Sequence, residues 1–163
     1  MFGDMQANRS QSDTPARLVL DTNVWLDVLL FDDPHTARLR DLADASRLLL
    51  LATKQTRAEW RRVLDYPQLA VDAATQQRLC EAYDALAFQM DDFRPVVPCD
   101  PALPRCRDPD DQMFLELAAC SGAAAVLTRD NALLALDRRC RRAAGFAVCR
   151  PQDWLAMTIP EPS

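Results

Sequence analysis

The chain has 163 residues, nearly half of them apolar and about a quarter charged, which suits one soluble domain with a sizeable core. Its net charge of −5 offers no bulk attraction to nucleic acid, so any such binding needs a local basic patch. No apolar run reaches the roughly 20 residues of a membrane helix, and the polar opening "MFGDMQANRSQSDTPA" lacks the order of a secretory signal. The cytoplasm is the expected location.

Residues 1–16 read as a disordered lead-in, 17–158 as a single domain and 159–163 as a flexible tail. "RLVLDTN" predicts a buried strand over about 17–21 that ends in a sharp polar loop. A short apolar stretch, Val24 to Leu30, follows. Asp33 and Pro34 then read as the cap and first position of a helix through "HTARLRDLADA". Four consecutive leucines in "RLLLLAT" (47–53) suit a strand covered on both faces. "TKQTRAEWRRVLDY" has helical spacing and stops before Pro67. "DAATQQRLCEAYDALAFQ" (72–89) predicts a longer helix with Leu79, Cys80, Tyr83, Leu86 and Ala87 on one face.

"FRPVV" (93–97) reads as a short edge strand, where proline is tolerated. A helix over 109–121 stops at Gly122, and "AAAVLT" (123–128) forms the next strand. A further helix starts near Asp130. "FAVCR" (146–150) is a last strand before "PQDWLAM". This alternation predicts a mainly parallel sheet with helices on both faces.

In such sheets, sites gather at the carboxyl ends of strands, where the strand order reverses. Asp21 ends the first strand and Asp130 lies just past the strand 123–128, so both face one crevice if those strands are neighbours. "DPDDQMFLE" adds three aspartates at a helix start. Asp108 reads as the cap, with Pro109 at the first helical position. One cap satisfies the end and leaves Asp110 and Asp111 over. At 100° per residue both fall on the flanks of the stripe Met113, Phe114, Leu117 and Ala118. A carboxylate turned toward a covered side needs a positive partner, either a hard divalent cation or an arginine. Asp21 and Asp130 also read as helix caps. Glu59, among Arg57, Arg61 and Arg62, reads by itself as part of a solvated, salt-bridged face.

The six cysteines form no C-x-x-C pair and there is one histidine, His35, so a zinc site is not expected. Reduced cysteines acting as small core residues fit better. His35 sits outside the acidic segments, at a helix start, as a surface residue. Four arginines fall within five residues in "LDRRCRRAAG" (Arg138, Arg139, Arg141, Arg142). They fit a phosphate-contacting patch or a solvated helix end favouring positive charge.

Taken in order, "LVLDTNVWLD", "TRAEWRRVL", "RDPDDQMFLELA" and "VLTRD" resemble the PIN domain (PilT N-terminus), in particular the bacterial toxin components related to VapC-type toxins. The likeness runs from about Leu18 to Trp154 and includes "GFAVCRPQDWL". The resemblance implies a three-layer α/β/α sandwich. It also implies ribonuclease activity on single-stranded RNA, dependent on Mg²⁺ or Mn²⁺. Carried over by motif, the acids are Asp21, Glu59, Asp111 and Asp130, with Asn23 and Thr128 as polar supports. Asp108 and Asp110 remain neighbours that could replace Asp111 or ligate beside it. Arg129 stands where close relatives often have glycine, and with the four arginines above it is a candidate RNA contact. The resemblance further implies RNA as substrate, a homodimer and an antitoxin protein as partner.

Two other classes compete. A catalytically silent RNA- or protein-binding module would use the same acids as helix caps. A flavodoxin-like phosphotransfer domain also gathers acids at strand ends, but Lys54 is the only lysine and lies far from the last strands.

Overall fold

A computed structural model describes residues 14–90 and 102–158. The expected lead-in over 1–13, the edge strand at 93–97 and the tail at 159–163 lie outside the described residues.

Strand β1 (Ala16–Leu20) is followed by helices α1 (Thr22–Leu29) and α2 (Pro34–Asp44), then β2 (Leu48–Ala52) and α3 (Lys54–Leu64). Helix α4 (Ala73–Leu86) leads into β3 (Ala87–Gln89). A 3-10 turn (Pro109–Asp111), the second after one at Pro67–Leu69, precedes α5 (Gln112–Ser121). The chain closes with β4 (Ala125–Leu127), α6 (Asn131–Leu134), α7 (Asp137–Ala144), β5 (Ala147–Cys149) and α8 (Pro151–Thr158). All five strands are parallel, in the order β3-β2-β1-β4-β5. The chain moves outward from β1 through β2 to β3, then crosses back to lay β4 on the other side of β1. The order therefore reverses between β1 and β4.

Alternation along the strands divides the core into two layers. Leu18, Leu20, Leu48, Leu50, Ala52, Ala125 and Leu127 face one side, against apolar residues of α1, α2, α3, α4 and α8. Val19, Leu51, Val126 and Val148 face the other, against Phe114, Leu115, Leu117 and Ala118 of α5, Leu133 of α6 and Cys140 of α7. The result is three layers, helix–sheet–helix. Cys140 and Cys149 are buried apolar residues, as expected, and burial pushes each thiol up to about 11. Among the described residues, no helix is long and apolar enough to cross a membrane.

Local chemistry explains the helix starts. Asp33 Oδ1 accepts the His35 amide at 2.8 Å with Pro34 at the first position. At α3, Thr56 Oγ1 accepts the Thr53 amide at 2.9 Å while Thr53 Oγ1 accepts the Thr56 amide at 3.2 Å, a reciprocal cap. Gly122 ends α5 at φ 68°, a backbone geometry that glycine adopts without strain.

One helix is shorter than expected. The helix drawn through Gln89 ends at Leu86, and Ala87–Gln89 extend beside β2 as the edge strand. Helical periodicity could not report this, because the ladder to Leu50, Leu51 and Ala52 holds these residues. The Met90 amide continues it, donating to the Ala52 carbonyl at 2.8 Å.

Candidate metal centre at the strand switch

The first acid stands where the strand order reverses. The Asp21 amide still belongs to the sheet, donating to the Leu127 carbonyl at 2.9 Å, while its own carbonyl opens α1. Its side chain is buried and makes no cap bond to α1. Thr128 Oγ1, wholly buried at the end of β4, donates to Asp21 Oδ2 at 2.8 Å. Burial pushes the Asp21 carboxyl above its ordinary range, against the bond from Thr128, and the neighbouring charge of Asp130 pushes the same way.

Asp130 follows directly. Its amide donates to Thr128 Oγ1 at 3.0 Å, and Oδ1 caps α6 by accepting the Ala132 amide at 2.9 Å. Expectations of a cap and of a place beside Asp21 are therefore both met by one side chain. The amides of Thr22 and Asn23 help to hold the charge of Asp21. The Asn23 side chain is exposed.

The aspartate triplet separates into three roles. Asp108 caps the 3-10 turn, with Oδ1 accepting the Asp110 amide at 2.9 Å. Asp110 is exposed, its Oδ2 3.6 Å from Arg62. Asp111 is half-buried and makes no cap bond to α5. Its carboxyl is pushed up to about 7, first by burial and then by Asp21, Asp108, Asp130 and Glu59 in that order. The symmetrical flanking drawn for Asp110 and Asp111 does not hold, because residues 109–111 turn as a 3-10 helix of three residues per turn.

Glu59, on α3, contributes to the field at Asp111 but is already engaged. Its Oε2 accepts from Arg62 Nε at 2.9 Å and Nη2 at 2.6 Å. The salt-bridged part of the reading of Glu59 thus has direct support, whereas its side chain is only 19% exposed and does not lie on a solvated face. Arg129 also has a partner that the sequence did not disclose. Its Nε stands 2.7 Å from Oδ2 of the buried Asp27 as an ion pair, the N–H out of line for a hydrogen bond. The one visible signal was an acid within the apolar stretch Val24–Leu30.

Two clefts meet here. One of about 420 Å³ is lined by Asp108, Asp111 and Asp130 among others. The second, about 600 Å³ between α3 and α5, includes Glu59, Arg62, Arg105 and Asp110. Cys106 and Pro109 wall both.

Among the described residues, no arginine or lysine pairs with Asp21, Asp111 or Asp130. The available donors are hard carboxylate oxygens, suited to Mg²⁺ or Mn²⁺ and poor for softer metals. As the side chains stand, no three acids among the described residues are close enough to hold an ion. Like charge opposes any closer approach until a positive charge joins them.

Comparison with known proteins places the chain in a family and a fold. The family model described as "PIN domain" matches residues 17–132, a span that contains Asp21, Glu59, Asp111 and Asp130. A similar fold occurs in the crystal structure of VapBC2 from Rickettsia felis bound to a DNA fragment from their promoter. The TM-score is 0.54 and the identity 12%, over 81% of this chain and 96% of that one. None of the curated proteins matches the chain.

Proposed function

Starting from a chain that belongs to the PIN domain family, we propose a nuclease that hydrolyses phosphodiester bonds of single-stranded RNA with the help of Mg²⁺ or Mn²⁺. The observation that carries this reading is geometric: Thr128 ties Asp130 to Asp21, and Asp130 lines one cleft with Asp111, whose carboxyl is pushed up to about 7 by burial and by Asp21, Asp108, Asp130 and Glu59. A divalent cation would supply the positive charge that Asp21, Asp111 and Asp130 need to draw closer. Asp21, Asp111 and Asp130 would hold the ion, joined by Glu59 once it leaves Arg62. A bound divalent ion lowers the pKa of water and offsets charge developing on the phosphate.

The chain's own groups then have distinct tasks. Thr128 holds Asp21 in one rotamer, since its hydroxyl accepts from the Asp130 amide and so directs its proton to Asp21. Asn23 lies at the start of α1 beside Asp21, a polar side chain available to substrate or water. No histidine takes part: His35 is exposed at the start of α2. Arg138, Arg139 and Arg142 are exposed on α7 and would meet RNA phosphates, giving salt-dependent binding. Arg141 is drawn back to Asp137 at 2.9 Å, and Arg129 to Asp27, so both are weaker candidates for that contact.

The likeness to VapBC2 supports a role as a toxin component with an antitoxin protein as partner; a homodimeric state and a cytoplasmic location complete the proposal. A second reading is favoured by the Glu59–Arg62 pair and the caps made by Asp108 and Asp130: a catalytically silent RNA- or protein-binding module. Labelled single-stranded RNA incubated with Mn²⁺ separates the two. Wild type is expected to cleave it and Asp21→Asn to leave it intact; equal behaviour of the two proteins removes the enzyme reading.

A further inference from the structure

Asp27 lies six residues beyond Asp21 on α1, between Leu26 and Val28 of the core, with its side chain 5% exposed. Neither the start of the helix nor its packing calls for an acid there. Burial raises its carboxyl above the ordinary range, and the main opposing influence is Arg129. A carboxylate in that place is costly unless it is paired.

The position of its partner gives the pair a second meaning. Arg129 stands in sequence between Thr128, which bonds Asp21, and Asp130. Its side chain is half exposed, so packing alone does not fix it. Guanidinium groups bind carboxylates strongly and with good geometry. Left without Asp27, its acidic alternatives would include Asp130, next to it in sequence, Asp21, whose carboxyl feels the charge of Asp130, and Asp33, whose charge reaches Asp27. On Asp130 or Asp21 it would occupy the oxygens that a cation requires.

We infer that Asp27 is a positioning residue that draws the Arg129 guanidinium away from Asp21 and Asp130 and so keeps their carboxylates open to a divalent cation. The inference rests on the cation reading proposed above, and it concerns a residue that touches neither ion nor RNA. It also explains how an arginine is tolerated within an acidic site.

The test is Mn²⁺ binding by the metal-free full chain, read from the electron paramagnetic resonance signal of free Mn²⁺, with a thermal melt of each protein. Asp27→Asn is expected to weaken binding about tenfold or more, the scale of other supporting contacts around metal sites. Asp27→Asn/Arg129→Gln is expected to restore it close to wild type, because the competing charge has gone. Arg129→Gln alone is expected to bind Mn²⁺ at least as tightly as wild type, which keeps the inference testable should Asp27→Asn fail to fold. Unchanged binding in Asp27→Asn, a double variant as weak as the single, or weaker binding in Arg129→Gln each overturns the inference. Absence of binding by wild type would instead remove the cation reading on which it stands.

Discussion

Thr128 and Asp21, 107 residues apart, are joined by a 2.8 Å hydrogen bond at the point where β1 and β4 end side by side. The same hydroxyl accepts the Asp130 amide at 3.0 Å. One buried oxygen thus ties together two of the proposed cation-holding acids and leaves little freedom in either.

Removing that hydroxyl should be costly. Thr128→Val keeps the shape but strips Asp21 of its donor and the Asp130 amide of its acceptor. The expected loss in stability is about 1–3 kcal/mol, the range for stranding buried polar groups. Urea unfolding measures it, and RNA cleavage should fall with it. A variant as stable and active as wild type would show that the bond sets nothing.

Asp111 makes stability depend on pH in a definite direction. An unfolded aspartate gives up its proton near pH 4, whereas folded Asp111 keeps its proton up to about 7. Between those values the folded state binds more protons, so stability falls as pH rises. The destabilisation is absent below the unfolded pKa and complete above the folded one. Asp21, also raised by burial, adds in the same sense. The metal-free melting temperature should therefore drop between pH 5 and pH 8, and less in Asp111→Asn. Mn²⁺ should recover much of the loss at pH 8 and little at pH 5, where protons compete for the same oxygens. A flat profile, or equal Mn²⁺ effects at both pH values, would contradict this account.

Glu59 depends on the packing of the helix that carries it. Trp60, beside it on α3, is buried and stacks on Tyr83 at 5.5 Å, while Tyr83 meets Trp25 of α1 at 4.4 Å. Trp60→Ala should cost about 3–5 kcal/mol, as for other large aromatic truncations. Trp60→Phe should cost far less, since no described residue accepts a bond from the Trp60 indole N–H. Chemical denaturation compares the two, and equal losses would mean that ring stacking is not what holds α3 against α1 and α4.

Much of this arrangement is written locally. Asp33–Pro34, Asp108–Pro109 and Gly122 mark helix ends by chemistry acting within a few residues, and each stands where that chemistry requires. The alternation of strands and helices is legible because apolar runs must be covered on both faces of a parallel sheet. The family resemblance extended the acids from a crowded triplet to four separate segments. The strand Ala87–Gln89 was not legible, since three residues at a sheet edge carry no period of their own.

Local pattern and motif therefore determine which residues are acidic, which elements bear them, and that their strands run parallel. Tertiary structure alone decided which acid faces which. It set Asp130 beside Asp21, turned Asp111 inward and Asp110 out, and placed Arg129 on Asp27. Those choices follow from Coulomb energy and burial between groups distant along the chain, and neither quantity exists until the sheet brings them together.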